Sequence, residues 1–318
     1  MNRHIRGFIA AAAIGLGLSP AAQAQQQFIN VLTGGTSGVY YPLGVALSQV
    51  YSKAIPEAKS SVQSTKASVE NLNLLQAGRG EIGFTLGDSL SDAWKGVEEV
   101  GFKKPLDKLR GIAGIYPNYV QIVALEGSGI KTVADMKGKR VSVGAPRSGT
   151  ELNARAIFKA AGLTYKDFEK TEYLPFGESV ELMKNRQLDA TLQSAGLGVA
   201  SIRDLASGVK IVIVPIPADV VAKVGDPAYQ SATIPANTYD GQAADVPTAA
   251  INNFLVSHEG VSEELGYKMT KALFENLDQM VSAHTAAKGI SLENALKGMP
   301  VPLHPGAEKY YREKGVLK

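Results

Sequence analysis

The chain has 318 residues, 45% of them hydrophobic and 20% charged, with a mean hydropathy of -0.02. That is length for two domains and the balance of a foldable globular protein, which excludes a disordered chain and a polytopic membrane protein. Lys and Arg number 33 against 30 acids, and the first 24 residues hold two of the cations (Arg3, Arg6) and no acid, so the remainder is almost neutral and predicts no nucleic-acid surface. Zero cysteines exclude disulfides, Cys-ligated zinc, iron–sulfur clusters and thiol catalysis.

The amino terminus reads as a cleaved secretory signal. Arg3, His4 and Arg6 give a basic start, an apolar run follows over residues 8–18, Ser19-Pro20 breaks it, and Ala22-Gln23-Ala24 supplies small residues for a peptidase. The run is short of the roughly 20 apolar residues that a membrane span needs. Cleavage after Ala24 and export to the periplasm as a soluble protein are expected, and without a Cys at the cleavage site the product is not a lipoprotein.

Next in order come a strand at 28–32, a glycine-rich loop Thr33-Gly34-Gly35-Thr36-Ser37-Gly38, and a helix with Tyr41, Val45, Leu47, Val50 and Tyr51 near one face. Ser68-Val69-Glu70 opens a helix over 69–77 that leads into a strand at 81–85. The same order recurs later. A strand at 141–144 runs into Ala145-Pro146-Arg147-Ser148-Gly149-Thr150 and a helix over 151–161, and Ser179-Val180-Glu181 opens a helix over 180–185 before a strand at 188–192. Ser37-Gly38 and Ser148-Gly149 are 111 residues apart, and so are Ser68-Val69-Glu70 and Ser179-Val180-Glu181. Matching motifs at one offset, inside one order of elements, predict two α/β lobes of the same kind with mainly parallel sheets. The tail differs: a strand at 249–256, helices over 262–276 and 277–287, and a Pro-rich end at 299–306. It reads as a return to the first lobe. The expected boundaries are a signal at 1–24, lobe 1 from 25–118 with 249–318, and lobe 2 from 119–248. Two crossings, in 116–125 and 249–256, would make a hinge beside a cleft.

Each lobe offers a Gly/Ser/Thr loop at a helix amino terminus, where unpaired N–H groups and the helix dipole favour an anion. Thr36, Ser37 and Gly38 are the candidates on the first loop; Ser148, Gly149 and Thr150 are those on the second. Ordinary helix capping would explain one such loop. It would not require the neighbouring glycines, and two loops facing one another would grip a small anion from both sides. Ser68 and Gln193 join the candidate set, as does Tyr40 for its phenolic hydroxyl. Asp88 reads either as a carboxylate in the cleft or as a cap of a helix over 89–97.

Catalytic signals are thin. The loop at 34–38 is neither GxGxxG nor a phosphate-binding Walker loop, since no Lys follows the last glycine. His258, His284 and His304 show no metal spacing, and no GxSxG elbow is present. No catalytic residue, metal or cofactor is expected. A binding receptor therefore leads over an α/β periplasmic enzyme.

Several motifs together resemble the TAXI family, the extracytoplasmic solute receptors of one class of TRAP transporters. They are Thr33-Gly34-Gly35-Thr36-Ser37-Gly38-Val39-Tyr40-Tyr41-Pro42-Leu43-Gly44, Ser68-Val69-Glu70-Asn71-Leu72 and the stretch from Val143 to Glu151. Thr233-Ile234-Pro235-Ala236-Asn237-Thr238-Tyr239, the run Pro302-Leu303-His304-Pro305-Gly306-Ala307 and Tyr310-Tyr311-Arg312-Glu313 add to the likeness. The resemblance implies a two-lobed periplasmic-binding-protein fold of the type II kind. It also implies a monomer that hands a small carboxylate, glutamate foremost, to a TRAP permease driven by an ion gradient. Arg147 departs from the glycine or small polar residue expected there and would add a positive charge at the cleft. The alternative receptor class feeds an ATP-driven importer with a different small ligand.

Overall fold

The computed structural model describes residues 26–318; the expected signal at 1–24 lies outside them. Lobe 1 begins with β1 (Gln27–Leu32), α1 (Tyr40–Ala54), β2 (Ala58–Gln63), α2 (Ser68–Gln76), β3 (Ile82–Leu86) and α3 (Gly87–Lys95). β1 and β3 are central and bury Ile29, Val31, Leu32, Ile82 and Phe84, whereas β2, at the sheet edge, turns Lys59, Ser61 and Gln63 to solvent. α1 buries Leu43, Leu47, Val50 and Tyr51, one stripe at helical spacing.

Strand β4 (Leu109–Leu125) then crosses into lobe 2. That lobe holds β5 (Arg140–Ser142), α4 (Gly149–Ala160), β6 (Lys170–Glu172), α5 (Phe176–Lys184), β7 (Ala190–Ala195) and α6 (Ala200–Gly208). β8 (Ile211–Val214), α7 (Ala218–Lys223) and β9 (Gln230–Ile234) complete it, and β10 (Val246–His258) returns to lobe 1. There α8 (Glu263–Phe274), α9 (Leu277–Ala283) and α10 (Pro305–Glu313) follow. Among the described residues no helix is long and apolar enough to cross a membrane.

All ten strands share one sheet, with a main path of β2-β1-β3-β10-β4-β7-β5-β6, β8 beside β4 and β9 beside β10. Within each lobe the strands around β1 and β5 are parallel, as expected, but β4 and β10 run antiparallel to each other and to their neighbours. A strand that brings the chain back must point the other way. These two are longer than the sequence indicated. Residues 109–115, which carry Gly111 and Gly114, lie ahead of the crossing expected from 116. In the structure they are strand positions kept bare for the tail: a Cβ at Gly111 would run into the Met299 thioether, and one at Gly114 would meet Asn294 O at 3.1 Å. The tail lies along the strand there, with Gly111 N donating to Pro302 O and His304 N to Gly111 O, both at 2.8 Å. The Pro-rich end is also a helix start. His304 caps α10 through Nδ1, which accepts Gly306 N at 3.1 Å, and Pro305 takes the first helical position, where its missing N–H costs nothing. The helix expected over 277–287 ends at Ala283, where His284 begins a short 3-10 turn.

Candidate ligand-binding site

Between the lobes lies a cavity of about 360 Å³. Residues 34–40 and 64–68 with Leu86 wall it on the lobe 1 side, residues 145, 148–150 and 175–178 on the lobe 2 side, and Tyr116, Asn118, Ser194 and Ala195 form its strand floor. Four helices begin on this cavity: α1 at Tyr40, α2 at Ser68, α4 at Gly149 and α5 at Phe176. A helix start leaves backbone N–H groups without intrahelical partners, and a side-chain cap normally takes one of them. Only α4 has such a cap, Ser148 Oγ accepting Glu151 N at 3.1 Å. The residues at the cap positions of α1, α2 and α5 are Val39, Ala67 and Pro175, and none makes a side-chain cap bond. Three uncapped dipoles and a fourth half-used one therefore converge on one space, which favours negative charge there.

The walls are held by buried amides. Asn71 Nδ2 donates to Thr33 O at 2.6 Å and to Phe84 O at 2.8 Å, while its Oδ1 accepts Thr65 Oγ at 2.6 Å, tying both lobe 1 loops to β3. This holds Ala67 at φ 67°, a left-handed value unusual for alanine, just before α2. Under the floor, Tyr40 Oη donates to Asn253 Oδ1, and Asn253 Nδ2 donates to Tyr116 O (2.8 Å) and Asn118 Oδ1 (2.7 Å). Asn118 Nδ2 continues to Ser194 O at 2.9 Å. One chain of bonds thus joins α1, both crossing strands and β7.

Two floor hydroxyls have no protein partner although they are buried: Tyr116 Oη (residue 2% exposed) and Ser194 Oγ (5%). Burial, with Tyr40 beside it, pushes the Tyr116 phenol well above its ordinary value, so it keeps its proton. Among the lining residues only Lys66 and Glu178 carry formal charge, both of them exposed and of opposite sign. Negative charge in the cavity would be met chiefly by N–H and O–H groups.

Eight of the eleven expected site residues line the cavity: Thr36, Ser37, Gly38, Tyr40, Ser68, Ser148, Gly149 and Thr150. Three do not. Arg147 sits in a left-handed turn at φ 60° with its side chain exposed, so it lends no charge to the lining. Gln193 is fully buried, its Oε1 accepting Ser201 Oγ at 2.6 Å. It is the strand neighbour of lining Ser194, and alternation sends the two to opposite faces of β7. Asp88 is neither a lining carboxylate nor a simple cap: Oδ1 does accept Ser89 N at 2.7 Å, but Oδ2 is engaged by Asn153 and Tyr229.

Sequence reasoning missed 64–66, Asn118, 175–178 and Ser194. The match of Ser179 with Ser68 placed the second helix start wrongly. α5 begins three residues earlier, at Phe176, and Ser179 is buried against Ser142 Oγ at 2.7 Å. Pro175, which cannot continue a helix backwards, was the available signal. The three described histidines are structural: Nδ1 of each of His258, His284 and His304 accepts the backbone N–H two residues on, at 3.1 Å.

A model of the NMT1-like family matches residues 31–315. Three solved structures share the fold. PhnD1 from Prochlorococcus marinus (MIT 9301), in complex with methylphosphonate, is 13% identical with a TM-score of 0.58, over 92% of this chain and 100% of that one. A putative L-cystine ABC transporter protein from Listeria monocytogenes is 17% identical, with a TM-score of 0.51 over 83% and 96%. The alkanesulfonate-binding protein SsuA from Xanthomonas axonopodis pv. citri, bound to MOPS, is 14% identical, with a TM-score of 0.50 over 90% and 83%. At such identities the likeness establishes the two-lobed α/β fold of type II periplasmic binding proteins, the fold class expected from the sequence. The resemblance to TAXI receptors is corrected by the family match and by these neighbours, and the TRAP permease and glutamate that came with it fall too.

Proposed function

The chain belongs to the NMT1-like family, and from that premise we propose that it is an extracytoplasmic solute-binding receptor. It takes a small organic acid into the interlobe cavity and hands it to an ATP-driven importer in the membrane, with β4 and β10 as the hinge between lobe 1 (25–118 with 249–318) and lobe 2 (119–248). It binds its ligand unchanged and performs no chemistry on it. The observation that carries this reading is the convergence of four helix starts, three of them uncapped, on one cavity. The named ligands of PhnD1 and SsuA, a phosphonate and a sulfonate buffer, support an acidic head group.

A thermal-shift screen tests it, comparing small carboxylates, sulfonates and phosphonates with neutral sugars and polyamines. A ligand present at 100 times its dissociation constant adds about 2.7 kcal/mol. That is worth roughly 5–10 °C at 2–4 °C per kcal/mol. Calorimetry on Ser148→Ala and Thr150→Ala should then show affinity falling about tenfold or more for each donor lost to a charged group. Stabilisation by sugars or polyamines alone, or unchanged affinity in both variants, would overturn the reading.

A further inference from the structure

Asp88, in the first turn of α3, lies outside the cavity and is 3% exposed. It belongs to lobe 1, yet each side chain bonded to it comes from lobe 2. Oδ2 accepts Asn153 Nδ2 at 2.6 Å and Tyr229 Oη at 2.8 Å, and Asn153 Nδ2 also reaches Tyr229 Oη at 2.7 Å. Asn153 stands one helical turn behind Gly149, on the helix whose start lines the cavity. The seam is extended by Arg155, whose Nη1 donates to Glu99 O at 3.0 Å.

We propose that Asp88, Asn153 and Tyr229 form an interlobe latch made only when the lobes close, and that protonation of Asp88 favours the closed arrangement. The latch rests on the receptor reading in one respect, that the lobes part to admit ligand. Parting them breaks every side-chain bond to Asp88 and returns its carboxylate to water. Closing them buries it, and burial pushes its carboxyl up from 3.8 to about 6, against the pull of the Tyr229 and Ser89 hydrogen bonds. The charged groups facing it do not offset this: Asp92 on α3 and Asp226 ahead of Tyr229 are both acids, and on α4 Glu151 is paired with Arg155 at 2.8 Å. The closed form therefore holds a proton through the window from pH 3.8 to about 6 in which the open form has released it, so closure strengthens as pH falls through that window. From those two values the closed-to-open ratio is about tenfold higher at pH 5 than at pH 8.

The chain has no cysteine, so Glu98→Cys with Lys159→Cys, exposed positions on either side of the seam, can carry two spin labels. Pulsed dipolar spectroscopy on the ligand-free protein should show the short-distance population gaining on the long one about tenfold between pH 8 and pH 5. In Asp88→Asn the ratio should be the same at both pH values. In Tyr229→Phe, which keeps the carboxyl but removes a donor to its charged form, closure should be weaker at pH 8 and the pH midpoint higher. A ratio in the parent that does not move with pH, or a pH response that survives Asp88→Asn, overturns the latch. If the populations respond to an organic acid from the screen but not to pH, the latch alone fails. A single distance under every condition, ligand included, sinks the receptor reading and the latch together.

Discussion

Replacing Gly149 with alanine will weaken ligand binding by about 10- to 100-fold while the ligand-free protein stays folded. Gly149 is the first residue of α4 and faces lobe 1 so closely that a Cβ would fall 2.5 Å from Leu86 Cδ1 and 2.6 Å from Ser68 Oγ. Its backbone is outside the left-handed region, alanine favours a helix, and the atoms that a Cβ would crowd most all belong to lobe 1. The clash is with the other lobe and is relieved by opening. Overpacking of this kind costs about 1–3 kcal/mol, here charged to the closed state alone, and each 1.4 kcal/mol is a factor of ten in affinity. Calorimetry with an acid found in the screen, beside a melting curve of the ligand-free variant, reads both halves. Wild-type affinity would show that Gly149 and Ser68 do not meet in the bound form. A collapsed melting temperature would show that the lobes cannot separate to relieve the clash.

Gly306→Ala should do the reverse, cutting stability while leaving each folded molecule able to bind. Gly306 lies in the first turn of α10 against α8, and a Cβ there would run into Glu263 O and Tyr267 N. These are backbone atoms of one lobe, so no rotamer change or hinge motion makes room. The expected loss is about 3 kcal/mol, at the top of the overpacking range, which lowers the melting temperature by roughly 6 °C or more. Urea unfolding with unchanged m-value would confirm it, and a melting curve superimposable on the parent's would refute it.

These two glycines mark what the sequence could and could not say. The loops at 33–38 and 145–150 were legible because glycine and hydroxyl residues at a helix start have a local physical meaning, and both loops line the cavity. Side-chain direction was not legible to within one residue. Gln193 and Ser194 differ by one step on a strand, and that step decides which of them meets the cavity. Arg147 carries a charge that composition registers, but the left-handed turn that points it outward is set by backbone geometry. Asp88 offered two local readings, and its partners, 65 and 141 residues away, were invisible to both. The motifs behind the TAXI resemblance are largely cavity loops, helix caps and close-packed glycines such as His304-Pro305-Gly306. Such residues serve the fold and the cleft whatever membrane partner receives the ligand, so they report on architecture more than on the transporter.

The placement of β10 between β3 and β4 governs the order in which the molecule is completed as its chain emerges from a narrow exit, amino terminus first. Lobe 2 draws its strands β5 to β8 from one stretch and assembles them on the last part of β4 through contacts that arrive together. Lobe 1 has to wait. Until Asn253–Val256 are released, the Gly83–Leu86 edge lacks its neighbour, and until residue 304 is out, Gly111 lacks the full pair of its tail partners. An unfilled strand edge is a template for the wrong chain. The half of the protein made first is therefore the half finished last, and a chain arrested before β10 would present a nearly complete lobe 2 joined to an open, adhesive sheet.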